Sequence, residues 1–345
     1  MKEGHISRRR LLTAAGAGIT IASLFGPGVV LAAVGNTVSL QLNWIPSVDF
    51  AGFYIADALG YYKQEGISVK FLPGGPNMQG VEQVVAGGAG TAGLPTFLTS
   101  TINAVQHQAK LTVIGSVFQT SPLALISLQS LPLNSAKDLV GKRIGAAQGR
   151  QRELDAVFKI NGLPANGYTF VPIGYDSTPL TKGSVDIISV FATSEPVTLA
   201  EQGVKTNMIL FAAMGLPTYT SPIVVSSDAI AKNRKVILGF LRGSIKGWEM
   251  NAKDPTLAPK LVAERYAGSM KIDQPHQLRV NQAMVPLTQS DLTRDKGMLW
   301  IDKTKISGPI YAALRAAGET QLPAVDSYVD TSLLEEVFGN RTQLL

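Results

Sequence analysis

The stretch from Val38 to Phe71 switches between two periods, and that switch restricts the fold more than any other feature of the chain. Val38-Ser39-Leu40-Gln41-Leu42 places apolar residues at every second position, the pattern of a half-buried strand. Pro46 stops it, because proline has no backbone donor with which to extend a ladder. Asp49 suits the N-cap of the run beginning at Phe50. In that run Ala51, Ile55 and Leu59 recur every four residues, and Gly60 is placed to end the helix. Ile67, Val69 and Phe71 then alternate again. Strand, helix and strand in succession make a βαβ unit. Trp44 and Asp49 fall just past the carboxyl end of its first strand, where open α/β sheets hold their ligands.

The rhythm continues along the chain. Helices are expected near residues 79–86 and 96–106, with strands at 90–94 and 111–118. Crossings to and from a second set of elements are expected near Gln119–Pro122 and Tyr219–Pro222. Between them, strands at 122–128, 168–172 and 185–191 alternate with helices at 135–139 and 152–161. Ser194 or Thr193 caps a helix that opens on Glu195-Pro196. Past the return, Asp228 caps a long helix running through Asn251. Further helices follow at 255–267 and 307–317, with 298–302 a loop or short turn.

Several functions are excluded or disfavoured. With no cysteine in 345 residues, there are no disulfides, thiolate metal sites or cysteine nucleophiles. His5, His107 and His276 have no metal-ligand neighbours at the required spacing. Gly88, Gly90 and Gly93 match a dinucleotide fingerprint as a string, but a helix precedes them and they run into a strand, the reverse of what that site needs. Gly149-Arg150-Gln151-Arg152 is not a nucleotide-hydrolysing phosphate loop. The helix start there can still offer backbone N–H groups to a polar part of a solute. Asp186 reads as a structural, hydrogen-bonded carboxylate. The net charge of +6 includes four basic residues and one acidic residue in positions 1–33. Removing them leaves +3, with no basic stripe interleaved with aromatics, so nucleic acid is not an expected partner.

Residues 1–33 read as an export signal. Ser7-Arg8-Arg9-Arg10-Leu11-Leu12 has the twin-arginine pattern, an apolar stretch broken by glycines follows, and Ala32 and Ala33 offer a cleavage site.

Longer strings carry a family resemblance. They are Asn43-Trp44-x-Pro46, Asp49 followed by Ala51-Gly52-Phe53-Tyr54-Ile55-Ala56, the run Gly60–Ile67, and Leu72-Pro73-Gly74-Gly75-Pro76-Asn77. Later pieces are Asp138–Gly145, Glu195-Pro196 after its strand, and Phe240–Glu249. Together these resemble the thiamine-pyrimidine-precursor binding family, a branch of the type II periplasmic solute-binding proteins. The resemblance implies two α/β lobes joined by two hinge crossings, with a ligand cleft between them. The first lobe would comprise 34–119 plus 223–345 and the second 120–222. It implies a periplasmic component of an ABC importer that does no chemistry, uses no cofactor, and meets a membrane permease and its ATPase subunit transiently. The expected solute is heteroaromatic, foremost an aminopyrimidine precursor of thiamine; riboflavin, sulfonate or taurine, and nitrate are alternatives among relatives. A rival reading is a pyrimidine synthase, whose relatives on this fold use a cysteine-rich motif and a histidine. One departure matters: Phe50 stands where many pyrimidine-precursor binders have histidine, leaving one hydrogen-bonding group fewer.

Five residues are candidate ligand contacts. Trp44 either seals the core or offers its face to a planar solute. Asp49 is a helix cap or a cleft acceptor. Tyr54 lies beside the apolar stripe or in the cleft. Glu195 is a favourable charge at a helix start or, as the resemblance implies, faces the cleft. Tyr219 sits at the return crossing.

Overall fold

The computed structural model describes residues 36–345 apart from 77, 79, 89 and 90. The leader expected over 1–33, with its twin-arginine pattern, lies outside the described residues, as does Gly90 of the glycine string. No described helix is long and apolar enough to cross a membrane.

Among the described residues, ten strands form two sheets. In chain order they are β1 (Thr37–Gln41), β2 (Ser68–Leu72), β3 (Ala92–Gly93), β4 (Leu111–Phe118), β5 (Leu123–Leu128), β6 (Arg143–Ala146), β7 (Thr169–Pro172), β8 (Ile187–Phe191), β9 (Thr206–Leu210) and β10 (Thr220–Ser226). The first sheet runs β2-β1-β3-β10-β4 and the second β7-β6-β8-β5-β9. In each, three strands pair in parallel. The strands that connect the sheets run against them: β10 is antiparallel to β3 and β4, and β5 to β8 and β9. The chain leaves the first sheet after Phe118 and returns at Thr220, so each sheet is the centre of one lobe.

Both faces of each sheet are covered, which explains the nearly continuous apolar strands. Along β10, Ile223 and Val225 point into one core while Val224 points into the other. In the second lobe Leu125 and Ile187 enter one core, and Ala124, Ile126 and Ile188 the other. The first βαβ unit stands as read, with Gly60 in the left-handed conformation after the helix Ala51–Ala58. That helix lies against the 27-residue helix Ser227–Lys253 at very close range. A Cβ on Gly247 would come within 1.9 Å of the Gly52 carbonyl oxygen, and one on Gly52 would strike the Trp248 ring. Only glycine permits this approach.

The caps differ from the reading above in three places. Ser47, not Asp49, caps the first turn: its Oγ accepts from the Asp49 N–H. Ser226, not Asp228, caps the long helix by accepting from Ala229 N–H. Ser194 holds the N-cap position before Glu195 but makes no side-chain cap bond. In the first two cases the serine lies N-terminal to the acid, and its short hydroxyl reaches the free N–H first. Strand β9 and the helices Gln274–Met284 and Asp291–Lys296 add to the elements that the sequence pattern predicts. Asp186 is structural as read, paired with Arg143 at 2.8 Å and accepting the Arg143 N–H.

Candidate functional site

The turn after β1 is clamped from behind. Leu42 N–H donates to Leu72 O, and Gly74 N–H to Trp44 O, both at 2.9 Å. Gly74 lies so close that a Cβ there would be 2.5 Å from the backbone of residues 42–44. The Leu72–Pro76 string thus fixes the position of Trp44. Trp44 packs against the first-lobe core and meets Tyr175 of the second lobe edge to face, centroids 5.2 Å apart. Tyr175 is 64% exposed, so this pair stands at the rim of the cleft.

Deeper in, acidic groups from both lobes converge. Asp49 accepts a 2.8 Å bond from Ser47 Oγ. Burial raises its carboxyl above the usual range, and the Ser47 bond offsets only part of that. Glu195, at the first position of the helix Glu195–Glu201, turns back to accept from the Phe191 N–H at 3.3 Å. Its carboxyl is also raised, mainly by burial and further by the Asp49 charge. Tyr54 is fully buried among Phe50, Phe71 and Tyr266, yet its hydroxyl has no hydrogen-bond partner. Burial and the nearby Asp49 push that hydroxyl's pKa upward. An unsatisfied buried hydroxyl costs roughly 1–3 kcal/mol, so a solute atom placed there would relieve it. Phe50 is 1% exposed and packs on Tyr54; it belongs to the core beneath the cleft.

Tyr219 stands apart from this group. It is fully buried against the other face of the first sheet. Its hydroxyl accepts from Asp302 N–H at 3.1 Å, and Lys305 Nζ lies over its ring at 4.5 Å. Burial pushes its pKa up to about 12. Its polar and aromatic capacity is used within the first lobe.

Four further residues complete the cleft, of which the sequence pointed only to the helix start at Arg150. The Arg150 guanidinium lies over Phe97 of the first lobe at 4.6 Å and over Phe191 of the second at 5.7 Å. Burial lowers its pKa, opposed by Glu153 and Tyr175. Arg150, Tyr175, Phe191 and Glu195 line a small cavity of about 50 Å³. A larger cavity, about 380 Å³, opens beside it between the lobes. Phe97 and Leu123 form part of its wall, and none of the five candidates does. The local signal for Arg150 was its place at a helix start; Phe97 is 53 residues away in sequence, and only the tertiary fold joins them.

The lobes are also bridged at their margins. Glu201 accepts from His276 Nδ1 at 2.9 Å and from Arg279 Nε at 2.5 Å, and Arg152 pairs with Glu319 at 3.1 Å. The crossings are tied together: Thr220 Oγ1 donates to Ser121 Oγ at 2.8 Å, and Ser116 Oγ to Thr220 O at 3.1 Å. Among the described residues, no group of three or more His, Cys, Asp or Glu is placed to hold a metal ion.

Two helix-covered mixed sheets meeting across an aromatic and charged cleft define a two-lobed periplasmic solute-binding fold. The periplasmic aliphatic sulphonate binding protein SsuA of Escherichia coli superposes with a TM-score of 0.63 at 12% identity, over 86% of this chain and 92% of that one. The chain belongs to the NMT1/THI5-like family, whose model matches residues 47–258. A riboflavin-binding protein, RibY, of Chloroflexus aurantiacus is 30% identical over 77% of this chain and 76% of its own length. A 4-amino-5-hydroxymethyl-2-methylpyrimidine phosphate synthase of Legionella pneumophila is 24% identical over 68% and 76%. A formylaminopyrimidine-binding protein of Halalkalibacterium halodurans is 23% identical over 64% and 68%.

Proposed function

We propose that this chain is the solute-binding component of an ABC importer, exported to the periplasm by a twin-arginine signal. It captures a planar nitrogen heteroaromatic, an aminopyrimidine precursor of thiamine or a flavin, and leaves it unchanged. The observation that carries this reading is that Trp44 of the first lobe meets Tyr175, which lines one small cavity with Glu195, while the Asp49 charge acts on both Glu195 and the unpartnered Tyr54 hydroxyl. Two carboxylates from opposite lobes accept from amino or ring N–H groups, and Trp44 offers its face to a flat ring. A solute that touches both lobes favours the closed arrangement. The relatives named for riboflavin and formylaminopyrimidine support a heteroaromatic solute over a sulfonate or nitrate.

A second reading is a pyrimidine synthase, since other relatives carry that name. The chain has no cysteine, and both described histidines are engaged elsewhere: His107 with Asn103 O, His276 with Glu201.

A thermal-shift panel on the mature chain tests the proposal. It should hold hydroxymethyl- and formylaminomethyl-aminopyrimidines, thiamine, riboflavin, taurine and nitrate. A true ligand at about a hundred times its Kd stabilises by roughly 2.7 kcal/mol. Stabilisation by taurine or nitrate alone would overturn the heteroaromatic reading, and recovery of chemically altered ligand would overturn the binding reading. For the route, Arg8→Lys with Arg9→Lys should abolish export; unchanged periplasmic levels would refute the twin-arginine signal.

A further inference from the structure

We infer that Gln277 is a positioning residue for the solute site: it holds the turn that presents Asp49 and ties that turn to the clasp between the lobes. The inference rests on the function proposed above, which gives Asp49 and Glu195 to the solute.

The first N–H groups of a helix find no partner within it. At the turn Val48–Phe50, Ser47 serves two of them, its Oγ accepting from Asp49 N–H and its carbonyl from Phe50 N–H. Val48 has no exposed surface, and its N–H donates to Gln277 Oε1 at 2.9 Å, across 229 residues of sequence. A buried N–H without an acceptor is costly, so the turn stays where Gln277 stays.

The helix Gln274–Met284 holds Gln277 in place from two sides. Residues three and four apart share a helix face. On the face of Gln277, Asn281 exchanges amide hydrogen bonds with Asn251 of the long helix at 3.0 and 2.8 Å, and both residues are buried. That fixes the helix to the first lobe. On the next face, His276 and Arg279 hold Glu201 of the second lobe. Glu201 is the last residue of the helix whose first residue is Glu195. Asp49 and Glu195 therefore sit at the ends of one run of contacts, through Val48, Gln277 and the clasp. Releasing Glu201 frees the start of the helix that carries Gln277, and so loosens Asp49 along with the lobes. Adjacency alone does not establish coupling, so the two ends are read separately.

Amide exchange at Val48 in the ligand-free protein reads the turn. It should be faster in Gln277→Met, which keeps the side chain's length without its acceptor, and faster in Glu201→Gln. Calorimetric titration with riboflavin and with a hydroxymethyl-aminopyrimidine reads the site. For whichever probe the parent binds, Gln277→Met should weaken affinity about five-fold, as loss of one neutral hydrogen bond implies. Gln277→Glu keeps an acceptor and should restore most of it. A lowered Tm with parent affinity in Gln277→Met would make Gln277 structural alone and overturn the inference. Parent-like exchange at Val48 in Glu201→Gln would overturn the link to the clasp. If the parent binds neither probe, the heteroaromatic reading falls, and exchange at Val48 still decides whether the clasp holds the turn.

Discussion

Trp44 of the first lobe and Tyr175 of the second meet edge to face, with centroids 5.2 Å apart and planes inclined at 64°. One ring is fixed by a clamped turn and the other sits on an exposed loop, so the pair closes the rim of the cleft from both sides. Aromatic pairs of this kind contribute about 0.5–1.5 kcal/mol beyond area burial. Trp44→Ala should therefore weaken solute binding more than ten-fold, through lost stacking and lost apolar burial. Tyr175→Ala should weaken it less and mainly speed dissociation. Stopped-flow release measurements on both variants check this; parent-like off-rates in both would remove the rim from the mechanism.

Asp49 and Glu195 predict a pH dependence. Both carboxyls are raised, chiefly by burial, so each protonates at a higher pH than it does unfolded. The ligand-free fold then binds more protons than the unfolded chain in the window just above the ordinary carboxyl range. Its stability falls as pH rises through that window. Solute binding runs the other way: ionised carboxylates accept, so affinity drops as pH falls through the raised values. Glu195→Gln should flatten the affinity profile, cost about ten-fold or more at neutral pH, and raise the ligand-free Tm. A variant that binds as the parent does at every pH would show that Glu195 is only a favourable charge at a helix start.

Much of this was legible before the structure, and the limits have physical causes. The βαβ unit and the Glu195-Pro196 helix announce themselves because periodicity and breakers are local. Ser47 and Ser226 do not stand out as caps in the sequence because an acid follows each and competes for the same role. Strand β9, Thr206–Leu210, is half-buried and short, so its alternation is faint. The Arg150, Phe97 and Phe191 cluster joins three distant segments, and no local pattern encodes such a meeting. Tyr219 sits at the crossing as expected, but its hydroxyl faces Asp302 because the chain returns beneath the first sheet.

The clasp of Glu201 with His276 and Arg279 should favour closure. Arg279, then His276, holds the Glu201 carboxyl below its ordinary value. Its contribution is therefore intact above that value and is lost only as pH falls through the lowered one. Glu201→Gln should expand the ligand-free protein in small-angle scattering, and added salt should do the same to the parent, since exposed pairs are screened. A profile insensitive to both would mean that the clasp does not hold the lobes.

Gly74→Ala tests the clamp behind Trp44. The added methyl has no room against residues 42–44, and overpacking typically costs about 1–3 kcal/mol. Affinity should fall together with Tm. An undiminished affinity at lowered Tm would show that the turn relaxes without moving the ring.

The bond between Thr220 and Ser121 has a mechanical consequence. Two separate connections would let the lobes twist as well as part. Joined side by side, they act as one strap, and the remaining freedom is an angle. If the proposed function holds, an importer docking on such a body would need to measure a single coordinate to tell a loaded molecule from an empty one.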